Sequence, residues 1–531
     1  MDLIIEDAVV VTMAAGGTAD GLLVRDGRIA AVGTAEAVRA AAAPGAVVVR
    51  LDGATVVPGL IDAHCHVADV GYLATAADCS QPSAPDIPAI QARLAEVAGR
   101  TPAGSWVTGA GYVEYKLREG RHPTRAELDQ AVPGRPAVVY HTSLHAAVLN
   151  TAALAEAGFA DGQPDPPDGA FGRDAQGRLD GVVFERPMFA LFERNLREDI
   201  ARMGAAARAR LVELAGQRLA AFGVTAACDA DMRSDTFAAY AEADAAGLLG
   251  VRVRGLVVHD HADRVPAGRH SDRLATGAVK IWADGGMSSR TAAIFGTYPV
   301  APYGSGILYF SPGDLTEMVR DFDARGLQVC IHAQGDRAIE IVLDAYAAVL
   351  AGGAGNPLRH RIEHGGAMYP ALAARAADLG IVIVSQPGFI STLGDGFAEA
   401  FGDRGDDLYA FASWQRAGLT VAGSSDAPVI TADPRLGLRD AILRRTGSGR
   451  LLGPGERLPA RDALALYTTQ AAFASHSERE TGSLAAGKQA DFVVLQENPL
   501  RAEPERIADI GVLATVLGGT PMYQVAEIFP S

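Results

Sequence analysis

Lysine is nearly missing from this chain. Of 47 basic residues, Lys116, Lys280 and Lys488 are the only lysines; the others are arginine. Cysteine is scarce as well. Cys65, Cys79, Cys228 and Cys330 are scattered through 531 residues, which excludes a disulfide framework and reads as reduced thiols in the cytoplasm. No apolar run approaches the roughly 20 residues of a membrane helix. Residues 1–7 place no positive charge ahead of an apolar core, so no secretory leader is read there. A basic surplus is absent too: the net charge of −16 leaves no footprint for nucleic acid or an anionic membrane. What is present is a chain 49% hydrophobic, long enough for a large core and more than one domain. The expected partner is a small molecule.

Two features stand out against these absences. The first is the apolar run Val56-Val57-Pro58-Gly59-Leu60-Ile61-Asp62-Ala63, which ends in His64-Cys65-His66. Side chains two apart on a strand point the same way, so His64 and His66 present two imidazoles together. That is half of a metal site, although an isolated pair of this kind is more often a surface or capping feature. The second is Lys280, inside the apolar stretch Ala278-Val279-Lys280-Ile281-Trp282-Ala283-Asp284. A buried lysine can lose its proton and arginine cannot. The neutral amine can then take up carbon dioxide to become a carbamate, an oxygen ligand for metal. The plainer reading is a snorkelling or salt-bridged lysine.

In chain order, residues 3–11, 21–24, 28–32, 47–51 and 55–57 read as short strands, with Asp26-Gly27 as a hairpin turn. Such a meander needs partners, and the strand-like segments 491–495 and 512–517 offer them. The two termini are expected to form one small β-sandwich, from 1–57 and 476–531. Residues of about 70–205 follow no strand-then-helix rhythm and are rich in proline and glycine. They hold Trp106, Tyr112, His141, His145 and Glu185. This region reads as an insertion covering the mouth of the site, with Tyr112 and His145 as substrate contacts.

From about 205 the rhythm is regular. Apolar segments at 223–229, 251–258, 278–284, 328–334, 361–365, 381–386 and 420–426 alternate with helix-like stretches such as 312–325, 337–350 and 370–379. With the strand that ends at His66 the count reaches eight. The pattern predicts an α/β fold, a (β/α)8 TIM-like barrel over 58–475 with a large insertion after its first strand. The active site of such a barrel lies at the C-terminal ends of its strands. Those ends carry His64 and His66, then Lys280, His332, His364 and Asp426, six potential ligands on five strands. Nitrogen and oxygen donors of this kind suit zinc, with manganese or iron as alternatives.

The order His-x-His, Lys, His, His, Asp resembles the amidohydrolase superfamily, and within it the amidohydrolase-3 branch that includes N-substituted formamide deformylases. The likeness spans essentially the whole chain. It includes Val57-Pro58-Gly59-Leu60-Ile61-Asp62-Ala63-His64-Cys65-His66, His332-Ala333-Gln334-Gly335-Asp336-Arg337-Ala338, Ile362-Glu363-His364 and Ser424-Ser425-Asp426-Ala427-Pro428. A further segment runs from Thr481 through Gly487-Lys488-Gln489-Ala490-Asp491. The resemblance implies that His64, His66 and Asp426 hold one metal, His332 and His364 a second, and a carboxylated Lys280 bridges them. If Lys280 stays an amine, a single metal is implied. Ser289 and Arg290 also match, which places Arg290 near the substrate or in an ion pair with Asp284 or Asp336. A homodimer is implied as well.

The expected chemistry is hydrolysis of a non-peptide C–N bond, in an N-substituted formamide, another amide or a cyclic amide. A metal lowers the pKa of bound water to about 7. Asp426 would take the water's proton and pass it to the departing amine. The same site could serve a deaminase or an ester or lactone hydrolase. A non-catalytic binding protein that kept the fold is the remaining class, and it would be expected to have lost ligands.

Overall fold

Eight parallel strands lie side by side in chain order: β1 (Leu60–Cys65), β2 (Val224–Met232), β3 (Arg252–Val258), β4 (Leu274–Trp282), β5 (Gln328–Ala333), β6 (Arg361–His364), β7 (Val382–Ser385) and β8 (Val421–Gly423). They come from a computed structural model that describes residues 2–529 apart from 16, 103, 143, 167–168, 299–303 and 354. Every residue of β1, β5, β6, β7 and β8 is buried, as expected of parallel strands covered on both faces.

Alternation sorts the two faces. Val279, Ile281, Val329, Ile331 and Ile362 pack in one large cluster with the apolar sides of helices Pro312–Ala324 and Asp336–Leu350. The intervening Ala278 and Cys330 join Cys228, Ala230 and Leu256 in a separate small cluster, consistent with the barrel interior. Lys280, His332, Arg361 and Glu363 have the parity of this second set. The seam between β1 and β8 is closed just past their ends. Asp426 N donates to His64 O (2.8 Å) and His66 N to Ala427 O (2.8 Å). Asp62 accepts from Ser425 N (3.0 Å) across the same seam.

Both termini meet in one eight-stranded sheet. Its order is Thr520–Gln524, Val512–Leu517, Phe492–Leu495, Thr55–Pro58, Asp2–Val11, Thr18–Arg25 and Arg28–Gly33, with Val47–Arg50 also pairing with Asp2–Val11. The sheet rolls on itself. Ile29 near one edge shares a core with Phe492 and Val516 near the other, and Ile29 N donates to Lys488 O (2.8 Å).

The segment after β1 differs from the irregular insertion that its composition suggests. It builds a six-stranded sheet in the order Gly169–Arg173, Leu179–Glu185, Ala146–Leu149, Ala137–His141, Val107–Tyr112 and Ala77–Asp78. Val138, Tyr140, Leu149 and Val183 face a core that includes Leu191 and Phe192 of helix Arg186–Arg202. Val139, Val148 and Val182 face Ile90 and Leu94 of helix Ile87–Ala98. The period-2 pattern is there; proline and glycine in the connections mask it.

Candidate metal centre

At the C-terminal end of the barrel the six donors expected from the sequence come together. His64, His364 and Asp426 each offer a ligand atom, and these atoms lie within 4.8 Å of one another. Asp426 Oδ1 is 3.3 Å from His64 Nε2 and 3.1 Å from His66 Nε2. Lys280 Nζ lies 3.4 Å from His64 Nε2. The imidazoles of His332 and His364 have their centroids 4.5 Å apart, and those of His64 and His364 4.8 Å.

Two of these residues reach the cluster through unusual backbone. In β6, alternation turns Glu363 inward and would turn His364 outward with Ile362. His364 instead has φ 72°, which ends the strand and redirects the imidazole. Asp426 lies three residues past β8 and has φ 59°. Non-glycine residues rarely adopt such values, at a cost of about 1–3 kcal/mol each.

Buried partners orient the donors. His64 Nδ1 meets Glu363 Oε2 in a short contact. Arg361, wholly buried, donates from Nε to Glu363 Oε1 (2.6 Å) and from Nη2 to Oε2 (3.1 Å). His364 Nδ1 faces Gln386 Oε1 at 2.9 Å, which assigns the proton to Nδ1 and leaves Nε2 as the ligating nitrogen. Asp284 accepts backbone N–H bonds from Gln334 (3.0 Å), Gly335 (2.9 Å) and Ala293 (2.9 Å). These carboxylate and amide partners escape a search for ligands. Their trace in the sequence is a charged residue two places from another along an apolar strand, as in Asp62 before His64 and Arg361 before Glu363.

The electrostatics fit a cation. Burial pushes His364 down to about 3 and His332 well below the usual imidazole range, so both are neutral and able to ligate. Burial also lowers the Lys280 amine, against the pull of Glu363 and Asp426. Burial opposes a charge on Asp426, yet His64 and His66 hold its carboxyl well below the carboxylate range. For Glu363, burial is likewise outweighed, by Arg361 and then His64, and the carboxyl sits at about 2. Neutral imidazoles at His332 and His364, an ionised Asp426 and a depressed amine suit a divalent cation, whereas at His66 burial is outweighed by Asp426, which raises the imidazole to about 9 when no cation is bound.

The remaining expected residues lie elsewhere. Tyr112 is fully buried in a core of the insertion, with its hydroxyl 2.8 Å from His122 Nδ1. Arg290, in the loop after β4, pairs with Glu399 (3.1 Å) on helix Phe389–Phe401; Asp336 is paired by Arg404 (2.8 Å). His145 comes down to the barrel loops. A Cβ added to Gly286 would lie 2.7 Å from its Nε2, and its Nδ1 is 3.0 Å from Glu185 Oε2.

The sequence model of the amidohydrolase family matches residues 47–523. The chain is 32% identical to the N-substituted formamide deformylase of Arthrobacter pascens, over 98% of both chains. It is 28% identical to the putative amidohydrolase YtcJ of Bacillus subtilis, over 96% of this chain and 97% of the other. The structure of a metal-dependent hydrolase from Pyrococcus horikoshii superposes with a TM-score of 0.77 at 24% identity, covering 95% of this chain and 99% of that one. That last likeness concerns the fold. The match over most of the chain, on a barrel whose strand ends gather these donors, shows that the protein belongs to the amidohydrolase family.

Proposed function

We propose that the protein is a metal-dependent hydrolase of a non-peptide C–N bond, with N-substituted formamides as the first substrate class and other amides or cyclic amides next. The convergence of His64, His66, Lys280, His332, His364 and Asp426 at one end of the barrel carries this reading. The similarity to a formamide deformylase over the whole length favours the substrate class. His64, His66 and Asp426 would hold one zinc ion and His332 and His364 a second, with carboxylated Lys280 between them.

When bound, the cation supplies Lewis acidity that brings the pKa of water to about 7. Asp426 accepts the proton of the attacking water and delivers it to the amine nitrogen as the C–N bond breaks. Glu363 and Gln386 hold the imidazoles in one orientation.

The test is elemental analysis of protein purified without chelator, followed by assay on N-aryl and N-alkyl formamides and cyclic amides. Two zinc equivalents per chain, with formate and amine as products, are expected. One equivalent would leave Lys280 as an amine. Ammonia as the product would indicate a deaminase instead. No metal, and none taken up on addition, overturns the proposal.

A further inference from the structure

The insertion places one polar device over the barrel mouth. Strands Ala137–His141 and Ala146–Leu149 are antiparallel neighbours, and the turn that joins them ends at His145. At the start of this turn Thr142 Oγ1 donates to Val429 O (2.8 Å), in the loop after β8. At its end His145 Nε2 lies against Gly286, in the loop after β4. In a barrel of eight strands taken in order, β4 and β8 are on opposite sides. Thr142 and His145 thus reach the two loops that follow the strands ending near Asp426 and Lys280. Next to Gly286, Gly285 O is 3.2 Å from His332 Nε2.

The imidazole is held firmly. Glu185, with no exposed surface, brings Oε1 and Oε2 to 3.2 and 3.0 Å from His145 Nδ1. Glu185 Oε1 also accepts from Thr291 Oγ1 (2.8 Å), and Glu185 N donates to His145 O (2.9 Å). Thr291 is tied back to Gly286 through Gly286 N to Thr291 Oγ1 (3.0 Å) and Thr291 N to Gly286 O (2.9 Å). Glu185 itself has φ 57°, a strained backbone of the sort that accumulates at functional sites. Gly286 is required here because any side chain would collide with the imidazole.

Building on the hydrolytic reading above, we infer that His145 is a catalytic residue that donates a hydrogen bond from Nε2 to the substrate's acyl oxygen as negative charge develops there, with Glu185 as the residue that positions it. The proton stays on the imidazole, and no bond forms or breaks at His145. A donor fixed in advance where charge develops acts on the transition state more than on the bound substrate. Donation from Nε2 while Nδ1 faces a carboxylate requires the imidazolium. Burial disfavours that charge, and the buried Glu185 carboxylate, 3.0 Å from Nδ1, favours it; His332 faces it from β5.

The test is steady-state kinetics on the full-length, metal-loaded enzyme with formanilide, or with the fastest member of the formamide and cyclic amide series. His145→Ala is expected to lower kcat by roughly 10²–10³-fold with little change in KM, at unchanged metal content. His145→Gln, which keeps an N–H donor, should recover part of kcat. Glu185→Gln should bring the alkaline fall of kcat to lower pH, because the imidazolium loses its partner. Gly286→Ala should reproduce the His145→Ala loss by displacing the ring. A higher KM with kcat intact in His145→Ala would show ground-state binding alone and overturn this inference while leaving the hydrolytic reading in place. A wild-type enzyme that binds metal yet turns over none of these amides would overturn both.

Discussion

His364 and Asp426 share a left-handed backbone, and both reach the cluster because of it. The strain is retained where a regular strand would aim the side chain away from the centre. In the proposed mechanism Asp426 both holds a ligand position and carries a proton. Asp426→Asn should keep the fold and lose about 10²–10⁴-fold in kcat, read by circular dichroism and assay together. Glu363 has a different task. It joins the Arg361 guanidinium to His64 in a place without solvent. Glu363→Gln leaves Arg361 buried beside a neutral partner, and a loss of about 3–5 kcal/mol in denaturant unfolding is expected. The folded carboxyl sits near 2, below its ordinary 4.5. Its contribution is therefore complete above pH 4.5 and disappears as pH falls toward 2. In the Glu363→Gln variant the acid limb of the stability curve should be shallower across that window.

At the scale of elements, the sheet of the insertion must stay intact to hold His145 against the barrel loop at Gly286. Asn150, wholly buried, concentrates that dependence. Its Oδ1 accepts from Ala137 N (3.0 Å) and from Ala153 N (2.9 Å), the latter capping helix Thr151–Glu156, while Nδ2 donates to Arg135 O (2.8 Å) and Val132 O (3.2 Å). Asn150→Ala removes all four and is expected to destabilise the insertion by about 2 kcal/mol or more. Faster proteolytic nicking within 70–205 and a reduced kcat should follow, with metal content unchanged; equal loss of metal would show that the insertion and the centre are one cooperative unit. The barrel strands were legible from the sequence because each is a short apolar run between helix-like stretches. The sheet of the insertion was not. Its last two strands are exchanged in the pairing order, and proline and glycine in the connections hide the alternation of Val138, Val139 and Tyr140.

On the scale of the molecule, a cation held by the proposed ligands from five strands would fasten distant parts of the barrel together. Chelation should lower the melting temperature, and added zinc should restore it, since a ligand bound to the folded state alone stabilises by about 4 kcal/mol at a thousandfold excess over Kd. An unchanged melting temperature would mean that the six donors hold no tightly bound ion. No helix among the described residues is long and apolar enough to cross a membrane.

The sequence alone determined the barrel and the gathering of the termini and pointed to the candidate donors, because these rest on local periodicity and on side-chain types at strand ends. Tertiary structure decided the rest. Backbone reversal turned His364 inward, Glu363 and Arg361 met His64 across the barrel interior, and Tyr112 sank into the core of the insertion while His145 descended to Gly286. Each of these depends on which distant segments are packed together, and the pattern along the chain does not encode that in any single stretch.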